Sequence, residues 1–339
     1  MYIQKHNTQK KIFIIAEIGN NHEGDFDLAK KMIQLASESG ADAVKFQTFI
    51  PEFYVSNIDN NRLNRLRNFK FSFKQFSDLA DYAKKLGIIF FSTPFDIDSA
   101  IFLNKIQSFF KISSGDNTFY PLVDLISNFG KPIIVSTGIA DLKVIDNLYN
   151  RIYDFWKIKN IDADLFLLHC VSSYPVPDEQ ANISAILELK EKYPKATIGY
   201  SDHTLGLDAV STAVSMGARV IEKHFTIDKN YSDFRDHQIS ADPQEFKKMV
   251  KKIRKIETLM GSGKNNPQEC EKASGAPMRR SIAAKTRLKA GTKITFENLT
   301  WVRPGIGIPP GNEKSIIGRE LLNSLEVGQI ITLKDFHNK

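Results

Sequence analysis

The chain has 339 residues, 42% apolar and 25% charged, with a net charge of +7 and a pI near 9.1. That length and balance describe a globular protein with a large core and room for a second domain. The apolar runs fall well short of the ~20 residues a membrane span needs, the polar start MYIQKHNTQKK has no apolar signal core, and the lysines are strung along helical stretches rather than gathered into a nucleic-acid footprint. Cys170 and Cys270 offer neither a disulfide framework nor a CxxC metal site and suit a reducing compartment. The expectation is a cytoplasmic protein with no membrane and no nucleic-acid partner. A mild basic excess suits a small acidic ligand such as a phosphate.

Short β-branched or aromatic runs alternate with amphipathic stretches. In chain order the strand candidates are KIFIIAEIG (11–19), AVKFQTF (43–49), IIFFSTPF (88–95), FFKISSG (109–115), PIIVSTG (132–138), LFLLHCV (165–171), TIGYSDHT (197–204) and RVIEKHFT (219–226). Between them lie stretches such as LAKKMIQLASES, FKQFSDLADYAKK and LKVIDNLYNRIYDFW, with apolar residues three and four apart. Gly40, Gly87, Gly130 and Gly217 follow helical stretches, where a left-handed cap favours glycine. The strands lack clean alternation, so both faces are covered, as in a parallel sheet wrapped in helices. Eight such units, the last helix being PQEFKKMVKKIRKIETLM, give an α/β fold, a (β/α)8 TIM barrel over residues 1–260. Residues 261–278 are polar and rich in Gly, Pro and Ser, and read as a linker. Residues 279–339 form a second, small β-rich unit with limited core.

In such barrels the site lies at the C-terminal ends of the strands. Polar groups gather there: Glu17, Lys45, Gln47, Thr93, Lys111, Ser114, Ser136, His169, Ser201 to His203, and His224. His203 and His224 are twenty-one residues apart, about one barrel unit, which puts them side by side at the ends of strands seven and eight. Neighbouring imidazoles can share a divalent metal, with water, carboxylate or substrate oxygen completing the shell; that mixed set suits Mn2+ or another first-row ion. Such a metal polarises a carbonyl. Glu17 can orient a water or act as base. Lys45 and Lys111, among the hydroxyls of Thr93, Ser114, Ser136 and Ser201, make an anion site. A Schiff base on either lysine is a competing reading.

The motifs AEIGNNHEG (16–24), VKFQTF (44–49), FFSTPFD (90–96), KISSGDNTFYPL (111–122), STGIA (136–140), LLHCVSSYP (167–175), GYSDHT (199–204), EKHFT (222–226) and RRSI (279–282) together resemble the sialic acid synthase family. The match runs in order along nearly the whole chain and includes a C-terminal antifreeze-like (SAF) domain. The resemblance implies condensation of phosphoenolpyruvate with an N-acylated hexosamine, such as N-acetylmannosamine or a 2,4-diacetamido sugar, giving a nine-carbon nonulosonic acid and phosphate. It implies Mn2+ or Mg2+ on His203 and His224, with Glu17 near the aldehyde and Glu17 or Asp116 moving protons. Phosphoenolpyruvate falls to Lys45, Lys111, Thr93, Ser114, Ser136 and Ser201. The acceptor falls to Gln47, Phe95, Tyr174 and Asp236, and to Arg303 from the partner of a domain-swapped homodimer whose SAF domain covers the other barrel.

Three places depart from the family pattern. Asp116 stands where many bacterial members have glutamate, Ser172 where many have asparagine, and Phe234 and Arg235 where Gly-Pro usually precedes the aspartate. By resemblance Asp116 and Ser172 face the acceptor, so the pattern does not name the acceptor; Asp236 is placed by the His237 and Ser240 that follow it. Rival readings are a synthase acting on another aldehyde, a Schiff-base aldolase, and a non-enzymatic carbohydrate- or ice-binding module.

Overall fold

The computed structural model describes residues 1–337. The chain divides into two compact units, Met1–Gly261 and Ser262–Lys339. In the first, a two-strand hairpin (Tyr2–Ile3 with His6–Asn7) precedes eight parallel strands: β1 Phe13–Gly19, β2 Ala43–Thr48, β3 Ile89–Pro94, β4 Phe110–Ile112, β5 Ile133–Ser136, β6 Leu165–Cys170, β7 Thr197–Asp202 and β8 Val220–His224. Hydrogen-bonded ladders run β3-β2-β1-β8-β7-β6-β5-β4. The expected α/β barrel is thus present, closed along every seam but the one between β3 and β4. There the Gln107 side chain stands in for backbone, its Oε1 accepting from Ser92 N at 2.8 Å.

Each strand is followed by a helix: α1 Phe26–Glu38, α2 Phe73–Lys85, α3 Ile97–Leu103, α4 Tyr120–Asn128, α5 Leu142–Lys159, α6 Ala185–Lys192, α7 Asp208–Ser215 and α8 Pro243–Met260. The ends follow local chemistry. Asp25 caps α1 by accepting from Asp27 N and Leu28 N, and Asp242 caps α8, with Pro243 at the first helical position. Gly40, Gly87, Gly130 and Gly217 all have positive φ, as expected after helices. Two further helices, Pro51–Tyr54 and Asn60–Phe69, are inserted between β2 and α2, and a short one, Arg235–Ile239, between β8 and α8.

The strands carry two apolar faces that alternate. Outward residues such as Ile14, Ala16, Val44, Phe46, Val135, Leu167 and Ile221 pack under the helices. Inward residues Phe13, Ile15, Ala43, Phe91, Phe109, Ile134, Phe166, Leu168 and Val220 fill the lower barrel, and Ile3 of the hairpin joins them. Burying each such side chain contributes about 1.5–3 kcal/mol. The inward wall leaves no room at Gly199, where a Cβ would lie 2.4 Å from both Leu168 Cδ2 and the Val220 carbonyl oxygen.

In the second unit, the turn Glu269–Glu271 and helix Lys272–Met278 occupy the end of the expected linker. β9 (Ser281–Ala284) and β10 (Leu299–Val302) pair antiparallel, Ser281 opposite Val302. Their small core includes Ile282, Leu288, Ile294, Leu299, Ile316, Leu325, Ile331 and Phe336.

Candidate active site

The inward parity of the strands continues upward, and above the apolar layer it becomes polar. One step above Ile15, Ala43, Phe91, Phe109, Ile134, Leu168 and Val220 stand Glu17, Lys45, Thr93, Lys111, Ser136, Cys170 and Glu222; Ser201, above Gly199, completes the ring, and His224 stands one step higher on β8. All are buried. Lys45 Nζ lies 2.8 Å from Glu17 Oε1 and 3.8 Å from Glu222 Oε2. Lys111 Nζ lies 3.8 Å from Glu222 Oε1 and donates to Ser136 Oγ at 2.6 Å. Lys45 also donates to Thr93 Oγ1 at 3.3 Å, and Ser201 Oγ to Glu222 Oε1 at 2.9 Å. Gln47 Nε2 donates to Glu17 Oε1 at 3.2 Å and is itself held by Asn20.

Two lysines and two glutamates therefore share one desolvated space, and burial and their mutual charges together set their protonation. Burial, opposed by Lys45 and reinforced by Glu222, pushes the Glu17 carboxyl up to about 7. Burial works to lower Lys45, but the Glu17 and Glu222 carboxylates outweigh it and hold that ammonium above its ordinary value. Lys111 has less compensation and is lowered by burial. Burial alone would raise Glu222, yet Lys111 and Lys45 hold it below the usual range. Glu17 Oε2 and Glu222 Oε2 are buried without hydrogen-bond partners among the described residues. Buried polar atoms of this kind await a ligand or water.

At the ends of β7 and β8 the His203 and His224 rings lie 5.4 Å apart. His203 Nδ1 donates to the Val171 carbonyl at 2.8 Å, which leaves Nε2 with its lone pair free. Burial and the neighbouring His203 keep His224 neutral, well below its ordinary value, and its Nδ1 is buried without a partner. Burial opposes protonation of His203 too, but Cys170, 3.7 Å from Nδ1, outweighs it and raises the ring. Among the described residues no group of three or more His, Cys, Asp or Glu side chains is arranged around a metal. The two imidazoles nonetheless fit a divalent ion whose other positions go to water or substrate.

The remaining expected residues stand around this core. Ser114 Oγ accepts from Gly138 N at 3.1 Å. Asp116, raised by burial, accepts from Ser113 Oγ at 2.5 Å. Ser172 Oγ is buried without a partner. The Tyr174 ring packs 4.2 Å from that of His203. Asp236, raised by burial, lies 3.6 Å from Arg235 Nε. Phe95 packs 4.5 Å from the Tyr54 ring, beside Phe49, Val55 and Leu66. Arg303 belongs to the second unit, where Nε donates to the Met278 carbonyl at 2.8 Å.

His169 corrects a sequence expectation. It has outward parity, bonds to the Ala181 carbonyl at 2.9 Å and stacks on Tyr200, away from the mouth. Asp202 is outward as well, in a buried pair with Lys223 at 2.7 Å. Sequence reasoning assigned no role to Glu222 or Tyr54. Glu222 was detectable by parity, two residues before His224. Tyr54 had no sequence signal. A cavity of about 310 Å3 at the opposite, N-terminal end of the barrel, lined by Tyr2, Gln4, Ser108 and Asp164 among others, carries no comparable set of buried polar groups.

Fold and mouth together define an α/β barrel with two buried lysines among hydroxyls beside a pair of adjacent imidazoles. The NeuB family profile matches residues 32–265 and that of the SAF domain residues 279–337. The chain is 38% identical over 337 residues to the N,N'-diacetyllegionaminic acid synthase of Campylobacter jejuni, covering 95% of this chain and 99% of that protein. It is 34% identical to the N-acetylneuraminate-9-phosphate synthase of Mus musculus, covering 93% and 89%. A crystal structure of N-acetylneuraminic acid synthetase from Leptospira borgpetersenii, in complex with citrate, is 37% identical, with a TM-score of 0.73 over 78% of this chain and 90% of that one. The chain belongs to the NeuB family and ends in a SAF domain, as the motif resemblance implied. It is an enzyme of the synthase type.

Proposed function

We propose that the chain condenses phosphoenolpyruvate with the open-chain form of an N-acylated hexosamine, giving a nine-carbon nonulosonic acid and phosphate. The observation that carries this reading is the pairing, at one barrel mouth, of two buried lysines among hydroxyls with two adjacent imidazoles, one of them neutral and without a partner at Nδ1. Lys45 and Lys111 offset the charge of phosphoenolpyruvate, and Thr93, Ser114, Ser136 and Ser201 supply hydroxyl donors to its oxygens. A divalent ion, Mn2+ or Mg2+, on His203 and His224 would polarise the acceptor aldehyde. Gln47, Phe95, Tyr174 and Asp236 line the acceptor, with Arg303 of the partner subunit in a homodimer closing over it.

The C3 carbon of phosphoenolpyruvate attacks the aldehyde, cationic character develops at C2, water adds there, and phosphate leaves by C–O cleavage. Glu17, with a pKa of about 7 and one free oxygen, is suited to take the proton of that water. Asp116 is the second candidate for proton transfer. Holding both reactants in one pocket removes up to ~7–11 kcal/mol of entropic barrier in favourable cases. The test is phosphate release from phosphoenolpyruvate with Mn2+ across a panel of N-acylated hexosamines, with and without EDTA. Metal-dependent release with an acceptor supports the reading; no release with any of them sinks it. One observation favours a second reading: lowered by burial, Lys111 is the better nucleophile for a Schiff base. Borohydride trapping with pyruvate, in a reaction indifferent to EDTA, would select it instead.

A further inference from the structure

The rim of the mouth carries three arginines that the reaction above does not use. Arg235 lies with Cζ 4.7 Å from the Tyr174 ring. Arg62 lies with Cζ 5.2 Å from the Tyr54 ring and donates to its hydroxyl at 3.2 Å. Arg65 lies 5.8 Å from the Phe234 ring. Arg62 and Arg65 are three apart on the helix Asn60–Phe69 and so share a face. That helix is pinned to the loop after β8 by the edge-on contact of Phe69 with Phe234, at 5.2 Å. Phe234 and Arg235 are the pair that replaces Gly-Pro, so the departure from the family pattern and the basic rim are one feature.

Among the described residues neither Arg62 nor Arg65 has a carboxylate within salt-bridge distance, and Arg235 has only Asp236 at 3.6 Å. Arg67, on the same helix, is paired with Glu52 at 2.8 Å. A guanidinium held over a ring and without a strong carboxylate partner keeps N–H donors for an anion, and two of them match a phosphate in a bidentate fork. Successive contacts of 4.7 Å and 4.2 Å through the Tyr174 ring put the Arg235 guanidinium within about 9 Å of the His203 ring. An extended six-carbon sugar with a phosphate at its far end spans a comparable length. Asp236 and Asp116, on the same wall, would oppose an anion lying close to them and instead suit the sugar's hydroxyls as acceptors.

We propose that this rim selects an acceptor bearing a phosphate monoester at the end remote from its aldehyde, with Arg235 as the principal specificity residue and Arg62 and Arg65 in support. The assignment rests on the synthase reading above and names the substrate class of that same mouth. The test compares kcat/KM for N-acetylmannosamine and its 6-phosphate, at fixed phosphoenolpyruvate and Mn2+, in the native enzyme, Arg235→Gln, Arg235→Lys and the double variant Arg62→Gln/Arg65→Gln. The phosphorylated acceptor is preferred natively by roughly ten- to a hundred-fold, the size expected for charge-assisted hydrogen bonds. In Arg235→Gln that preference collapses through KM rather than kcat; Arg235→Lys keeps part of it, and the double variant loses less. A native preference for the unphosphorylated sugar, or a ratio unmoved in Arg235→Gln, overturns the assignment while the synthase reading stands. Absence of phosphate release with every acceptor overturns both.

Discussion

The lower and upper halves of the barrel interior are made by the same strands at the same parity, yet they do opposite things. Below, Phe13, Ile15, Phe91, Phe109, Phe166 and Val220 fill the space with carbon. Above, Glu17, Lys45, Lys111 and Glu222 fill it with charge. The lower layer stabilises the fold. The upper one costs stability, because each ion has lost its water and regains only part of that from its neighbours. Two residues along a strand thus separate scaffold from chemistry, and the upper layer stays folded because its cations and carboxylates are interleaved.

Equal injuries to the two layers should differ in whether a ligand repairs them. Glu222→Leu leaves Lys45 and Lys111 buried without their shared carboxylate and should cost roughly 3–5 kcal/mol. Phe166→Ala, a cavity in the lower layer, should cost about 3–5 kcal/mol as well. Calorimetry with phosphoenolpyruvate present should restore part of the lost Tm in Glu222→Leu and none beyond the native shift in Phe166→Ala. Equal recovery in both would erase the distinction. Next in size, Gly199→Ala drives a methyl into Leu168 and Val220, and unfolding by urea should show it destabilised by about 1–3 kcal/mol.

The smallest effect on stability is one of pH. Glu17 rises from an ordinary 4.5 to about 7 on folding, so between those values the folded chain holds a proton that the unfolded chain has released. Its contribution to stability is complete below about 4.5 and is lost as pH rises through about 7. Glu17→Gln should flatten that part of the Tm profile. In the native enzyme kcat/KM should climb with an apparent pKa near 7, and turnover should be nearly abolished in Glu17→Gln while the barrel stays folded.

All eight strands were legible because each is a short β-branched or aromatic run, and α8 was legible to the residue because Asp242 and Pro243 mark its start. The run 109–115 predicts a longer β4 than the observed Phe110–Ile112, because a helical turn at Ser114–Asp116 takes over. Within the site, nearness to a strand end was a good guide and parity a better one. His169 was misplaced because it follows inward Leu168 by a single residue. Glu222 was passed over although it shares parity with His224. Tyr54 was invisible for a different reason: its place depends on packing against Phe95, forty-one residues away, which no local pattern encodes.

The seam between β3 and β4 has a mechanical consequence. A cylinder laced by backbone ladders along seven joins, and bridged at the eighth by one glutamine side chain and the contact of Phe91 with Phe109, is a split ring that should open there first. Thr93 lies on one lip of that slit and Lys111 on the other. An anion gripped by both would act as a staple across the opening. Amide hydrogen exchange should then be fastest along β3 and β4 in the ligand-free chain, and should slow there most when phosphoenolpyruvate is added.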